Sequence, residues 1–356
     1  MGAGVKWGVV RVRGGAPRPA LLDGADVVLV SELGLGGDPD LARALRAPDL
    51  NALIELGPPA WSAVREAAAG APTAARVALA DCEPVLPVRV TDFADFYASL
   101  EHATNFGRIF RPGAAPVREN WHHIPVAYHG RASTIVASGT PIRRPHGPIG
   151  PGVLARTGQL DVECELGYVC GPSRTGPIPI DEAAEHLFGV VLVNDWSARD
   201  VQRFEYEPLG PFLGKSFATT MSAWITPLDE LAHARVPAQP QQPRPAPYLR
   251  ARDPWLLDLA LEVELGGEVV SRPPAAKLYW TPAQMLAHLT CNGASITAGD
   301  LFATGTISGL GHGTQGSLAE LYAGKRWLAD GEEVVLRGRA GDVDLGEARG
   351  RVRPAI

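Results

Sequence analysis

Between Leu160 and Cys170 the residues alternate strictly: Leu160, Val162, Cys164, Leu166 and Tyr168 face one way, and Asp161, Glu163 and Glu165 face the other. On a predicted strand, side chains two apart lie about 7 Å from one another, so three acids on one side repel unless water or a cation separates them. An exposed sheet face explains this pattern as well as a cation site does. A further acid, Asp195, follows the apolar run Gly189 to Val193, which reads as a buried strand; a carboxylate there is costly unless paired. Ser197 is placed to cap a following helix, on which Arg199, Gln202 and Tyr206 share a face away from Val201 and Phe204. An Asp195 to Arg199 ion pair with an ordinary polar face is the plainer alternative.

From Asp92 to Asn105, Phe93, Phe96, Tyr97, Leu100 and Ala103 follow helical spacing, which puts Asp95 and His102 together on the polar face. A solvated helix face accounts for that pair too. The segment Gly210-Pro-Phe-Leu-Gly-Lys215-Ser216 has three residues between its glycines where a phosphate-binding loop needs four, which excludes nucleotide binding on spacing. Lys215 still lies in an apolar, Gly-flanked stretch, where an ammonium needs anionic company, a lowered pKa or a path to solvent. Ser317-Leu-Ala-Glu320 matches a capping box, and Gly299 to Gly309 reads as a short strand broken by glycines. His122, His123 and His129 show no metal-ligand spacing and read as structural.

These residues need a framework. Gly and Pro make up 40 and 32 of the 356 residues, which favours many short strands joined by tight turns. Strands are expected at 6–13, 26–31, 134–142, 159–170, 189–195, 256–270, 301–307 and 332–353. Helices are expected at 42–56, 61–69, 92–104, 181–188, 197–206 and 281–291. A Pro-punctuated stretch around Leu86 marks a boundary between units 1–86 and 87–356, and Pro237 to Pro247 reads as a surface loop. A net charge of −6 argues against a nucleic-acid partner. Four cysteines without C-x-x-C spacing suit a reducing cytoplasm, and neither a signal peptide nor a membrane span is expected.

Taken together, Asp95-Phe-Tyr97, His102 to Arg111, Tyr128 to Ser133, Ser138 to Pro145, Leu160 to Glu165, Asn194 to Asp200, Pro208 to Phe217 and Gly305 to Gly309 closely resemble the fumarylacetoacetate hydrolase family over nearly all of residues 87–356. The resemblance implies a mostly β fold with some α: a small SH3-like β-barrel domain over 1–86, then a mixed β-roll catalytic domain over 87–356, in a homodimer. It implies Asp95, Glu163, Glu165 and Asp195 as metal ligands, with a second cation near Asp195, Lys215 and Thr219. Four carboxylates without Cys or His make an all-oxygen set, which suits Ca²⁺ or Mg²⁺ and disfavours zinc.

The activity implied is hydrolysis of the carbon-carbon bond of fumarylacetoacetate, a dicarboxylic β-diketone, to fumarate and acetoacetate in tyrosine, phenylalanine and homogentisate breakdown. His102, oriented by Glu320, would take a proton from water, and Arg199, Gln202 and Lys215 would stabilise the oxyanion. Tyr97, Arg111, Gln202, Tyr206 and Thr306 match substrate-binding positions, with Tyr128 assisting. Sister activities on the same fold, acylpyruvate hydrolysis or oxaloacetate-type decarboxylation, are the nearest rivals. A non-catalytic metal-binding or carboxylate-binding protein is a rival of another class.

Overall fold

The short apolar runs between glycines and prolines fold as strands: 32% of the chain is strand and 25% helix, so the protein is mostly β with some α, as expected. A computed structural model describes residues 4–356; Met1 to Ala3, at the start of the expected first unit, lie outside the described residues. The central sheet has 13 strands. Leu187–Asp195, apolar and buried along its whole length, runs antiparallel to Cys164–Cys170. Next to Cys164–Cys170 comes Leu301–Ala303, then Phe93–Phe96 parallel to it, then Ala127–His129 at the edge.

On the far side of the sheet, Trp224–Pro227 joins Leu187–Asp195 to the amino-terminal strands. Lys6–Val12 pairs antiparallel with Pro17–Asp23 along one edge and with Trp224–Pro227 and Cys82–Val85 along the other. No closed barrel is found among the described residues, because these strands extend the central sheet. Trp7, Val9, Leu21 and Val28 accordingly share one apolar core with Phe93, Val169, Phe188 and Ile225. A second sheet of five strands, including Ala260–Leu265, Glu333–Ala340 and Val343–Arg353, contributes Leu261, Leu336 and Leu345 to a core with Leu166 and Leu192. No helix of the described residues is long and apolar enough to cross a membrane.

Several elements differ from expectation, for reasons that are tertiary. The helix expected over 92–104 is instead the strand Phe93–Phe96 followed by the helix Leu100–Phe110. Pairing with strands on both sides overrides the helical spacing of Phe93, Phe96 and Tyr97. Ser99 starts the helix, its hydroxyl accepting from the His102 amide at 3.2 Å, so Asp95 and His102 do not share a helix face. Helical spacing over 42–56 resolves into Pro39–Ala44 and Asn51–Glu55. The 181–188 segment is a 3₁₀ turn, Ile180–His186, and the strand begins at Leu187. The helix after Asp195 begins at Arg199; Ser197 does not cap it, since its hydroxyl donates to the Asp195 carbonyl at 2.9 Å.

Candidate active site

Asp95, Glu163, Glu165 and Asp195 meet at one end of the central sheet, each offering an oxygen within 4.8 Å of the others. Asp95 comes from Phe93–Phe96, Glu165 from the start of Cys164–Cys170 and Asp195 from the end of Leu187–Asp195. Glu163 occupies a break between Leu160–Asp161 and Cys164–Cys170, so the 160–170 segment is not one continuous strand. The acids are fully buried there, which removes the exposed-face alternative. Tyr128 bridges two of them, its hydroxyl lying 2.8 Å from Asp95 Oδ2 and 2.6 Å from Asp195 Oδ2.

Asp95 Oδ1 and both oxygens of Glu165 are buried without any donor from the chain. Five buried carboxylates, counting Asp161, face two buried cations, Arg199 and Lys215. Burial and then repulsion from Asp195 push the Asp95 carboxyl well above its usual range; burial, Asp95 and Glu163 do the same to Glu165. Glu163 is the exception: burial alone would raise it, but Lys215 and Arg199 hold it below the usual range. Bare carboxylate oxygens in excess of positive charge fit a hard divalent cation, and the absence of sulfur or imidazole donors from this set disfavours zinc.

The two buried cations are committed to this cluster. Arg199 Nε lies 2.8 Å from Asp161 Oδ2, Nη2 2.7 Å from Glu163 Oε1 and Nη1 3.0 Å from Gln202 Oε1. Arg199 therefore pairs with Asp161 and Glu163, not with Asp195. Lys215 donates to Glu163 and, at 2.6 Å, to Asp195 Oδ2; Thr219 donates to Asp195 Oδ1 at 2.9 Å. Asp161, unassigned from the sequence, turns away from the cluster to receive Arg199 and the amides of Leu318 and Ala319 at 2.8 and 3.3 Å.

His102 Nδ1 stands 2.7 Å from Glu320 Oε2. Ser308 and Ser317 also donate to that oxygen at 2.9 and 2.8 Å, and Asn105 donates to Oε1 at 3.0 Å. Burial pushes Glu320 up, but His102 and these donors outweigh it and hold the carboxyl below its usual range. A carboxylate only accepts, so Nδ1 carries the proton and Nε2 is left as the basic nitrogen. The ring is wedged between Tyr97 and Phe106, with centroids at 5.2 and 4.3 Å. Ser317 is the helix cap that the sequence suggested, with its oxygen 3.4 Å from the Glu320 amide, yet the Glu320 side chain faces His102 as well. Asn105 and Ser308 lie inside the motif stretches but gave no chemical signal of their own.

A cavity of about 290 Å³ opens onto this assembly. Asp95, Tyr97, His102, Arg111, Tyr128, Glu163, Arg199, Gln202, Tyr206, Lys215 and Thr306 line it. Glu165, Asp195, Thr219 and Glu320 do not line it. Arg111 gives Nη2 to the Pro116 carbonyl at 2.8 Å, while its Nε and the Thr306 hydroxyl are buried without a partner. Gly305 brings Thr306 in: with φ +71° and an added Cβ only 2.1 Å from the Phe96 carbonyl oxygen, no side chain fits there.

A buried imidazole hydrogen-bonded to a carboxylate, beside an acid cluster and two fixed cations, is an arrangement suited to acid-base chemistry. The family model described as fumarylacetoacetate (FAA) hydrolase C-terminal matches residues 91–353. The fumarylacetoacetase of Rattus norvegicus is 42% identical over 350 residues, covering 86% of this chain and 84% of that one. The fumarylacetoacetase of Oryza sativa subsp. japonica is 39% identical over 401 residues, covering 98% and 94%. A solved fumarylacetoacetate hydrolase from Exiguobacterium antarcticum shares the fold, with a TM-score of 0.65 at 18% identity over 98% of this chain and 99% of that one. The chain belongs to the fumarylacetoacetate hydrolase family.

Proposed function

We propose that this protein hydrolyses fumarylacetoacetate to fumarate and acetoacetate, the closing step of tyrosine and homogentisate breakdown. The observation that carries this reading is His102, hydrogen-bonded to Glu320, opening onto the same cavity as Asp95 and Glu163 of the acid cluster. His102 Nε2 takes a proton from water as the water oxygen attacks the carbonyl next to the fumaryl double bond. Arg199 and Lys215 face the developing oxyanion, and Gln202 joins them: its carbonyl oxygen accepts from Arg199, which turns its amide N–H groups outward as donors. When the tetrahedral carbon collapses, the carbon-carbon electron pair leaves on the acetoacetate fragment, where the neighbouring carbonyl accepts it as an enolate, and a proton completes acetoacetate. Arg111 and Tyr97 receive a substrate carboxylate, with Tyr206, Thr306 and Tyr128 completing the walls.

Asp95, Glu163, Glu165 and Asp195 would hold Ca²⁺ or Mg²⁺, which supplies Lewis-acid polarisation of the diketone oxygens. A second cation beside Asp195, Lys215 and Thr219 has less support, because the last two already satisfy the Asp195 oxygens. The division at 86/87 belongs to the same reading, supported by a family match that begins at residue 91. An SH3-like first domain is part of this reading; the neighbouring strands 76–78, 26–29, 17–23, 6–12 and 82–85 support it, although they form no closed barrel. A cytoplasmic homodimer completes the reading; the exposed apolar side chains of Ile149, Val153 and Leu154, close together in the chain, support the dimer. The test is loss of diketone absorbance with purified protein, with and without chelator. No loss in added Ca²⁺ or Mg²⁺ overturns the substrate assignment.

A further inference from the structure

The segment that delivers Lys215 into the site has little packing of its own. Leu209, Phe212 and Leu213 expose their side chains, Leu209 to 96%. Its attachment is polar: three consecutive amides, those of Phe212, Leu213 and Gly214, donate to the carboxylate of Glu205 at 2.9, 3.0 and 2.8 Å. Glu205 ends the helix Arg199–Glu205, which also carries Arg199 and Gln202 into the cavity. At Gly214 the segment is pressed against that helix so closely that a Cβ would lie 2.8 Å from the Gln202 amide nitrogen. The next residue is Lys215, whose ammonium reaches Glu163 and Asp195.

We propose that Glu205 is a positioning residue: its carboxylate latches the 212–214 backbone to the helix and thereby sets the Lys215 ammonium beside the reacting carbonyl. Hydrogen bonds from neutral donors to an ionised acceptor are about twice as strong as neutral ones, and here three converge on one side chain. Releasing them frees the segment, since Leu209 and Leu213 are exposed and the contact of Phe212 with the Arg131 guanidinium, 5.9 Å from the ring centroid, is a weaker hold than three charged hydrogen bonds. Lys215 then swings toward solvent while Arg199, tied to Asp161 and Glu163, stays.

The inference rests on Lys215 acting as an oxyanion donor, and one experiment separates the two ideas. Full-length protein and its Glu205→Ala and Glu205→Gln variants are exposed to N-acetoxysuccinimide, and acetylation of Lys215 is followed by mass spectrometry beside turnover of fumarylacetoacetate. Lys6, also buried, reports any general loosening. Lys215 acetylation should quicken at least about tenfold in Glu205→Ala with Lys6 unchanged, and less in Glu205→Gln, which keeps one carbonyl acceptor. In the same order kcat should fall, by about tenfold or more in Glu205→Ala, with KM within about twofold. Glu205→Gln decides the matter if the alanine variant does not fold. Unchanged Lys215 acetylation, or Lys6 and Lys215 quickening together, overturns the latch whatever the activity does. Faster Lys215 acetylation with unchanged kcat upholds the latch and overturns the role of Lys215 in the transition state.

Discussion

His102 Nδ1 and Glu320 Oε2 stand 2.7 Å apart although 218 positions separate them in the chain. The helix Leu100–Phe110 supplies the ring and the short helix Leu318–Leu321 the carboxylate, so the fold itself sets the tautomer on which the proposed chemistry depends.

Glu320→Gln leaves a group of the same size but offers the ring an amide that donates as readily as it accepts. The imidazole loses its fixed tautomer, and kcat is expected to fall about 10²-fold or more, with KM within a few-fold. Steady-state kinetics on fumarylacetoacetate check this. An unchanged kcat would release Glu320 from the role of orienter.

Arg111 has a buried Nε that no protein group receives, in the wall of the cavity. Arg111→Leu should raise KM by about 10- to 100-fold while changing kcat less, as loss of one charged hydrogen-bonding partner of a substrate carboxylate requires. If kcat drops and KM stays put, Arg111 serves the reacting centre and not the carboxylate.

The acid cluster ties cation binding to pH. Asp95 and Glu165 have folded-state pKa values raised by burial and by repulsion from neighbouring acids, Asp195 first for Asp95 and Asp95 first for Glu165. In cation-free protein their contribution to stability is fully present below the ordinary values of 3.8 and 4.5 and is lost as pH rises through the raised ones. A divalent cation displaces those protons, so the melting-temperature gap between Ca²⁺-loaded and chelated protein should widen as pH rises from the ordinary carboxylate range toward mildly alkaline values. At about 100 Kd of free cation the stabilisation is about 2.7 kcal/mol. Calorimetry across that range checks the trend, and a gap that narrows with pH contradicts it.

Gly305→Ala places a methyl group 2.1 Å from the Phe96 carbonyl oxygen at a φ of +71°. The expected cost is about 3 kcal/mol or more, because backbone on both sides must move. Urea unfolding measures it; stability within about 0.5 kcal/mol of wild type would mean that this turn yields freely.

How legible the site was depended on whether a residue's setting was local. Asp195 at the end of an apolar run, and Lys215 in a Gly-flanked apolar stretch, announced an unusual environment through their immediate neighbours. Helical spacing misplaces Asp95 because its strand forms by pairing with segments distant in the chain, Ala127–His129 and Leu301–Ala303, the latter about 200 residues away. Asp161 looked equivalent to Glu163 and Glu165, since nothing in the alternation shows the break that turns it toward Arg199. The amides that Glu205 gathers carry no side-chain signature at all.

Strand order has a consequence for the newborn protein. Phe93–Phe96 reaches Cys164–Cys170 only across Leu301–Ala303 among the described residues. Until that late segment leaves the ribosome, Asp95 has no seat beside Glu165, and His102 waits longer still for Glu320. A nascent chain therefore cannot seat Asp95 beside Glu165, or His102 against Glu320, until the segments around residues 301 and 320 have been made.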